Sequence, residues 1–264
     1  MPVLILAGGI GTRMSELTSL MPKPMVEIGG KPILWHLIMY YRQFGFRNFV
    51  ICAGYKSYVI KEYFENLLYI DSSVSFEYTH GVDKTIFDIE PVYNDLKVTV
   101  LETGLNTMTG GRVAQALDFL KLKSEDCFAL TYGDGLTDVS LAAELDSFLA
   151  SRKKGIILGV HPMARFGLLE VDESNLVCKF QEKPHTEHDY INGGFFFFRG
   201  CFRNYLSNDK SCILEKEPLE RLAQEKELVF FKHEGFWQCI DTLKDKNYIN
   251  DLWDNKAAPW KIWS

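Results

Sequence analysis

Apolar positions along this chain switch between two periods, and the switches mark out its elements. Residues 2–7 (PVLILA) form a continuous apolar run, which predicts a buried strand ending in a glycine-rich turn. After Pro32, the residues Ile33, Leu34, Leu37, Ile38 and Tyr41 recur at helical spacing. Residues 48–52 (NFVIC) read as a short strand ended by Gly54, and 56–68 return to the helical period through Val59, Ile60, Tyr63, Phe64 and Leu67. Strands are predicted at 74–78 and 98–101; the stretch 80–96 between them has no clean period and reads as a long loop or hairpin. A helix at 111–121, a strand at 127–131, a helix at 139–150 and a strand at 155–160 follow. Such alternation predicts parallel strands covered by helices on both faces. Beyond His161 the pattern changes: 168–171 and 176–180 predict an antiparallel hairpin turning through 172–175, 195–198 a buried strand, and 214–224 and 242–253 helices. The expectation is one α/β domain over 1–264, a mixed but mostly parallel, Rossmann-like sheet with an antiparallel portion, dividing near residue 135.

Composition narrows the function classes. The chain has 264 residues, 47% hydrophobic and 24% charged, with a net charge of −6, so nothing in the totals provides the basic surface that nucleic acid requires. Six cysteines are scattered without a C-x-x-C pair and read as buried free thiols of a reducing compartment. The first strand begins at once, with no basic n-region or apolar h-region, and no apolar run reaches the ~18 residues of a membrane span. The reading is a cytoplasmic protein that engages no membrane.

Candidate chemistry concentrates in residues 6–24 (LAGGIGTRMSELTSLMPKP). Glycines let a backbone approach polyphosphate and turn its N–H groups toward it. Arg13, and Lys23 between Pro22 and Pro24, supply cations. A dinucleotide fingerprint would need a third glycine where Met14 stands, and a P-loop fails because Gly30-Lys31 is followed by Pro32. The glycines alone could also be a tight strand-to-loop turn; with Thr12, Arg13 and Pro-Lys-Pro the stretch reads as a triphosphate-handling loop. Gly133-Asp134-Gly135 leaves the strand at 127–131, so both loops can face one crevice beyond the carboxyl ends of the strands. Asp134 there suits a hard cation on a polyphosphate, or an Asx-turn. Asp241-Thr242 before the last helix reads first as an N-cap. Lys183 reads as solvated surface or a cation for a ligand, and Asn192-Gly193-Gly194 as a turn or a polar ligand contact. No G-x-S-x-G or H-E-x-x-H is present, which speaks against serine and zinc hydrolysis; His36 on an apolar helix reads as structural.

G-G-x-G-T-R followed by P-K-P-M resembles the signature of the sugar-1-phosphate nucleotidylyltransferases. Residues 25–36 (MVEIGGKPILWH) are similar to the branch that joins CTP and glucose 1-phosphate into CDP-glucose. TMTGGR at 107–112, YGDG at 132–135, RFG at 165–167, FQEKP at 180–184, INGGFF at 191–196, FWQ at 236–238 and APWKIW at 258–263 agree. The resemblance runs from end to end and is weakest at 74–97.

The resemblance implies the nucleotide-diphospho-sugar transferase fold, with a nucleotide half to about residue 135 and a sugar-binding half after it. It implies Mg²⁺ on Asp134 and Asp241. Nucleotide contacts are implied at Leu6, Ala7, Gly8, Gly9, Gly11, Thr12, Arg13, Lys23, Thr107, Gly111, Arg112 and Gly133. Glu182, Lys183, Asn192 and Gly193 would hold the sugar phosphate, with Arg13 and Lys183 acting in the transfer. Family members are homo-oligomers, and the aromatics of APWKIW, read as exposed, are compatible with an interface. The family context is a bacterial surface polysaccharide, such as an O-antigen. A sister transferase with other substrates, and a nucleotide-sugar-binding regulatory subunit without turnover, remain open.

Overall fold

A computed structural model of the chain describes all residues except 12–13, 15–17, 71, 78–82, 88–92, 94, 162–167, 182–189 and 264. Its elements in chain order are β1 (Pro2–Ala7), β2 (Glu27–Ile28), β3 (Lys31–Pro32), α1 (Ile33–Gln43), β4 (Asn48–Ala53), α2 (Ser57–Ile70), β5 (Ser73–Glu77), β6 (Asp83–Phe87), β7 (Lys97–Glu102), α3 (Thr109–Leu120), β8 (Cys127–Tyr132), β9 (Gly135–Thr137), α4 (Leu141–Ser151), β10 (Gly155–Val160), β11 (Leu168–Val171), β12 (Val177–Gln181), β13 (Ile191–Arg199), α5 (Glu217–Gln224), β14 (Leu228–His233), β15 (Trp237–Cys239) and α6 (Leu243–Asp254). The main sheet has seven strands in the order β14-β10-β13-β8-β1-β4-β7. Neighbours are parallel except β13, which runs antiparallel to both β10 and β8. The expected mixed, mostly parallel sheet is therefore the observed one.

Period-2 alternation divides the core. Val3, Ile5 and Ala7 point to one face with Phe195 and Phe197; Leu4 and Leu6 point to the other with Phe196 and Phe198. The first face packs on α1, α4 and α6, and the second on α3 and α5. A sheet buried on both faces explains why its strands are continuous apolar runs.

The stretch 80–96 contributes β6, which pairs with β5 as a hairpin. The helix expected from 214 begins at Glu217, because Pro218 is tolerated in a first turn but not in a helix interior. The C-terminal aromatics are buried rather than exposed: Trp260 is 0% and Trp263 9% accessible. They close with Trp253 and Trp35 around His36. His36 Nε2 donates to the Ile28 carbonyl, which only accepts, so Nδ1 is left to accept Trp260 Nε1 at 3.4 Å. Burial lowers the His36 pKa to about 4, and the ring is neutral. Gly29, at φ +56°, lies where any Cβ would enter the Trp253 indole. Of the six cysteines only Cys52 is buried, and all six are free.

Candidate active site

The polypeptide leaves β1, runs outward through β4 and β7, and returns to the other side of β1 as β8. The crevice beyond the ends of β1 and β8 is thus a point where strand order reverses, where α/β sheets place ligands. Gly133 N–H donates to the Leu6 carbonyl at 3.0 Å, holding the two loops together. A Cβ on Gly133 would lie 2.7 Å from that same oxygen, so the position requires glycine. A cavity of about 1010 Å³ opens here. It is lined by Leu6, Ala7, Gly8, Gly9, Gly11 and Lys23, by Thr107 and Arg112, and by Gly133 and Asp134. Asn192, Gly193, Trp237 and Asp241 also line it.

Two short strands bring Asp134 and Asp241 together. β9 and β15 pair antiparallel with Gly135 opposite Cys239, and Ile240 N–H donates to the Asp134 carbonyl at 2.9 Å. The residues flanking that ladder are the two aspartates. Asp241 does not cap α6. Thr242 is the N-cap and forms a capping box with Asp245, whose carboxylate also accepts the Asp241 N–H. The Asp241 carboxylate is left to the cavity.

Lys23 lies between the two acids. It opens a single 3₁₀ turn (Lys23–Met25) behind extended Pro22, and its Nζ donates to Asp134 Oδ2 at 2.5 Å and Asp241 Oδ1 at 2.6 Å. Burial works against its charge, but the charge of Asp134 and the hydrogen bonds to both aspartates outweigh this, and its pKa stays above the ordinary lysine value.

Residues 2–251 match the family model for nucleotidyl transferases. The chain belongs to the nucleotidyl transferase family. It is 44% identical, over the whole of both chains, to glucose-1-phosphate cytidylyltransferase of Salmonella typhi. Solved structures of similar fold include HddC from Yersinia pseudotuberculosis complexed with GMP-PN (TM-score 0.67, 22% identity, 96% of this chain and 99% of that one). UDP-glucose pyrophosphorylase complexed with UDP-glucose is another (TM-score 0.67, 16% identity, 97% and 98%). The fold is that of the nucleotide-diphospho-sugar transferases, and no helix among the described residues is long and apolar enough to cross a membrane.

In this nucleotidyl transferase a divalent cation fits the paired aspartates. Asp134, Cys239 and Asp241 offer ligand atoms within 4.8 Å of one another. Burial, with Asp134 beside it, pushes the Cys239 thiol far up, so it stays protonated and the useful donors are carboxylate oxygens. Hard oxygen donors converging from two sides suit a hard cation.

Two expected nucleotide contacts, Arg112 and Gly111, also make close contacts within the protein. Arg112 is 4% accessible, and its guanidinium donates to the carbonyls of Gly8 (3.0 Å), Ala53 (3.2 Å) and Leu105 (3.3 Å) and to Thr103 Oγ1 (2.6 Å). It braces the glycine loop from below, and an added Cβ on Gly8 would fall 2.0 Å from its Nη1. Gly111 does not line the cavity; its N–H donates to Cys212, and a Cβ would meet Asp209 O at 3.0 Å. It is a packing glycine. Thr107 does line the cavity, and its buried hydroxyl has no protein partner among the described residues. Thr12, Arg13, Glu182 and Lys183 lie outside the described residues. Sequence reasoning missed Tyr132, Trp237 and Lys244 in the cavity wall. Tyr132 stands in the quoted YGDG and Trp237 in the quoted FWQ, which are the available signals; Lys244 stands in no quoted motif.

Proposed function

We propose that this nucleotidyl transferase condenses CTP with glucose 1-phosphate to CDP-glucose and pyrophosphate, with Mg²⁺ as its cation. The observation that carries the reading is the convergence of Asp134, Asp241 and Lys23 below the glycine loop, in a cavity that extends to Asn192 and Gly193. The Salmonella typhi relative supplies the substrate pair. A sugar-phosphate oxygen attacks the α-phosphorus in line, and the bond to the β-phosphate breaks with its electrons leaving on pyrophosphate. The nucleophile is already ionised at neutral pH, so no general base is required and catalysis is positioning and charge neutralisation.

Amides of Gly8, Gly9 and Gly11, with Thr12 and Arg13, hold the departing pyrophosphate in this reading. Lys23 serves the α-phosphate side, and Thr107 offers its hydroxyl to the nucleotide. Lys183 fixes the sugar phosphate while Glu182, Asn192 and Gly193 hold the sugar. Mg²⁺ bound by Asp134 and Asp241 supplies Lewis-acid neutralisation of phosphate charge. The reading extends to a single-domain, cytoplasmic homo-oligomer.

A pyrophosphate-release panel of CTP, UTP, dTTP, ATP and GTP against several sugar 1-phosphates tests it. CTP with glucose 1-phosphate should give the highest kcat/KM, by about tenfold or more over each competitor. A faster alternative pair overturns the substrate assignment, and no release with any pair favours a binding subunit.

A further inference from the structure

Asn192 does not stand alone in the cavity wall. Its Oδ1 accepts the Gly194 N–H at 2.8 Å, which fixes the amide's orientation, because a backbone N–H needs an oxygen. Its Nδ2 then donates to the Tyr132 hydroxyl at 3.1 Å. That hydroxyl donates in turn to Glu215 Oε1 at 2.6 Å. A carboxylate only accepts, so the phenol gives its proton to Glu215 and takes that of Asn192, and the chain of donors has one direction. The other Glu215 oxygen, Oε2, accepts from Thr109 Oγ1 at 2.7 Å, at the first residue of α3.

Backbone features serve the same arrangement. Between β10 and β13 the register slips from Ile157–Phe196 to Gly159–Asn192, a bulge that contains Gly193 and Gly194. Gly194 has φ +80°, and a Cβ there would lie 2.5 Å from the Tyr132 ring. Glycine at 194 thus lets the phenol reach Asn192.

We propose that Glu215 and Tyr132 are positioning residues for substrate: they hold Asn192 as a pure N–H donor toward the sugar phosphate and, through Thr109, tie it to the nucleotide side of the cavity. One amide proton of Asn192 goes to Tyr132, and the second is presented to an acceptor, which suits a phosphate or sugar hydroxyl oxygen. The inference rests on the sugar-phosphate role given to Asn192 above.

The test compares Tyr132→Phe, Glu215→Ala, Glu215→Gln and the Tyr132→Phe/Glu215→Ala double variant by steady-state kinetics, with calorimetric titration of CTP alone and a thermal melt of each. Loss of one oriented hydrogen bond corresponds to about tenfold. KM for glucose 1-phosphate should rise about tenfold in Tyr132→Phe and Glu215→Ala, with kcat and CTP affinity within about twofold. The double variant should be no worse than the singles, and Glu215→Gln, which still accepts from Tyr132, should stay near wild type. An unchanged KM in Tyr132→Phe overturns the relay. So does an equal loss for both substrates accompanied by a lower melting temperature, which marks a merely structural pair. If wild type uses a different sugar phosphate, the substrate assignment fails alone, and the same KM comparison made with that sugar phosphate decides the relay.

Discussion

Replacing Lys23 with methionine leaves two carboxylates facing each other across the space its ammonium held. At 2.5 and 2.6 Å, and an effective dielectric near 20, each contact has a gross attraction of roughly 6 kcal/mol, most of it offset by desolvation. Removing one partner of a buried ion pair destabilises by about 3–5 kcal/mol. Asp134 retains 27% side-chain accessibility, which places the expected loss near the lower end, about 3 kcal/mol. For a chain of this size that is a fall in melting temperature of roughly 6–12 °C in a metal-free buffer. A divalent cation can replace the missing charge. At about a hundredfold over its Kd it would return about 2.7 kcal/mol. Wild type should gain less, because its ammonium competes for the same oxygens. Calorimetric melts of Lys23→Met and wild type, with Mg²⁺ titrated at constant ionic strength, measure both quantities. Equal Mg²⁺-induced shifts in the two proteins would refute the shared site, and an unchanged melting temperature in Lys23→Met would refute the energetic argument.

Three further outcomes follow from buried groups. Glu144 is fully buried with neither carboxyl oxygen partnered among the described residues, and burial raises its pKa from 4.5 to about 8; its contribution is fully present below pH 4.5 and is lost as pH rises toward 8, by at most about 1.4 kcal/mol per unit. Urea midpoints of Glu144→Gln should lack that decline, and a pH profile parallel to wild type would show that Glu144 does not cause it. Gly8→Ala should destabilise by about 2–3 kcal/mol by displacing Arg112, whereas Gly9→Ala, which meets nothing within 4 Å among the described residues, should change stability by under about 1 kcal/mol; similar denaturation midpoints for the two would refute the brace. Trp260→Ala should cost about 3–5 kcal/mol in equilibrium unfolding, since the indole is fully buried against Phe236 and His36, and a loss below about 1 kcal/mol would mean the C-terminal segment is not part of the core.

The central strands were legible because burial on both sheet faces leaves unbroken apolar runs, as in residues 2–7 and 155–160. The β9–β15 pair was only half legible. The run 237–240 (WQCI) reads as a short strand, but three residues at 135–137 carry no period, and their pairing joins segments about a hundred positions apart. The cap at Thr242 was legible in the T-x-x-D spacing of 242–245, which puts an acidic residue at N3 only for Thr242, although Asp241 reads first as the cap; the observed box through Thr242 and Asp245 corrects that. The bonds of Arg112 to the Gly8, Ala53 and Leu105 carbonyls were not legible, because nothing in the sequence says which distant backbone oxygens a buried guanidinium meets. The C-terminal tryptophans read as exposed because hydropathy does not name a partner, and their partner, His36, lies more than two hundred residues earlier. β14 (LVFFKH) went unread; as an edge strand it is only partly buried and ends in charge.

The most direct measurement is turnover of Asp134→Asn, Asp241→Asn and the double variant across a Mg²⁺ titration with CTP and glucose 1-phosphate. Both aspartates reach one cation in this account, so each single change should remove Mg²⁺-dependent turnover, by about a hundredfold or more, and the double change should add little. Near wild-type turnover in Asp241→Asn, with an unchanged Mg²⁺ dependence, would contradict the two-carboxylate site.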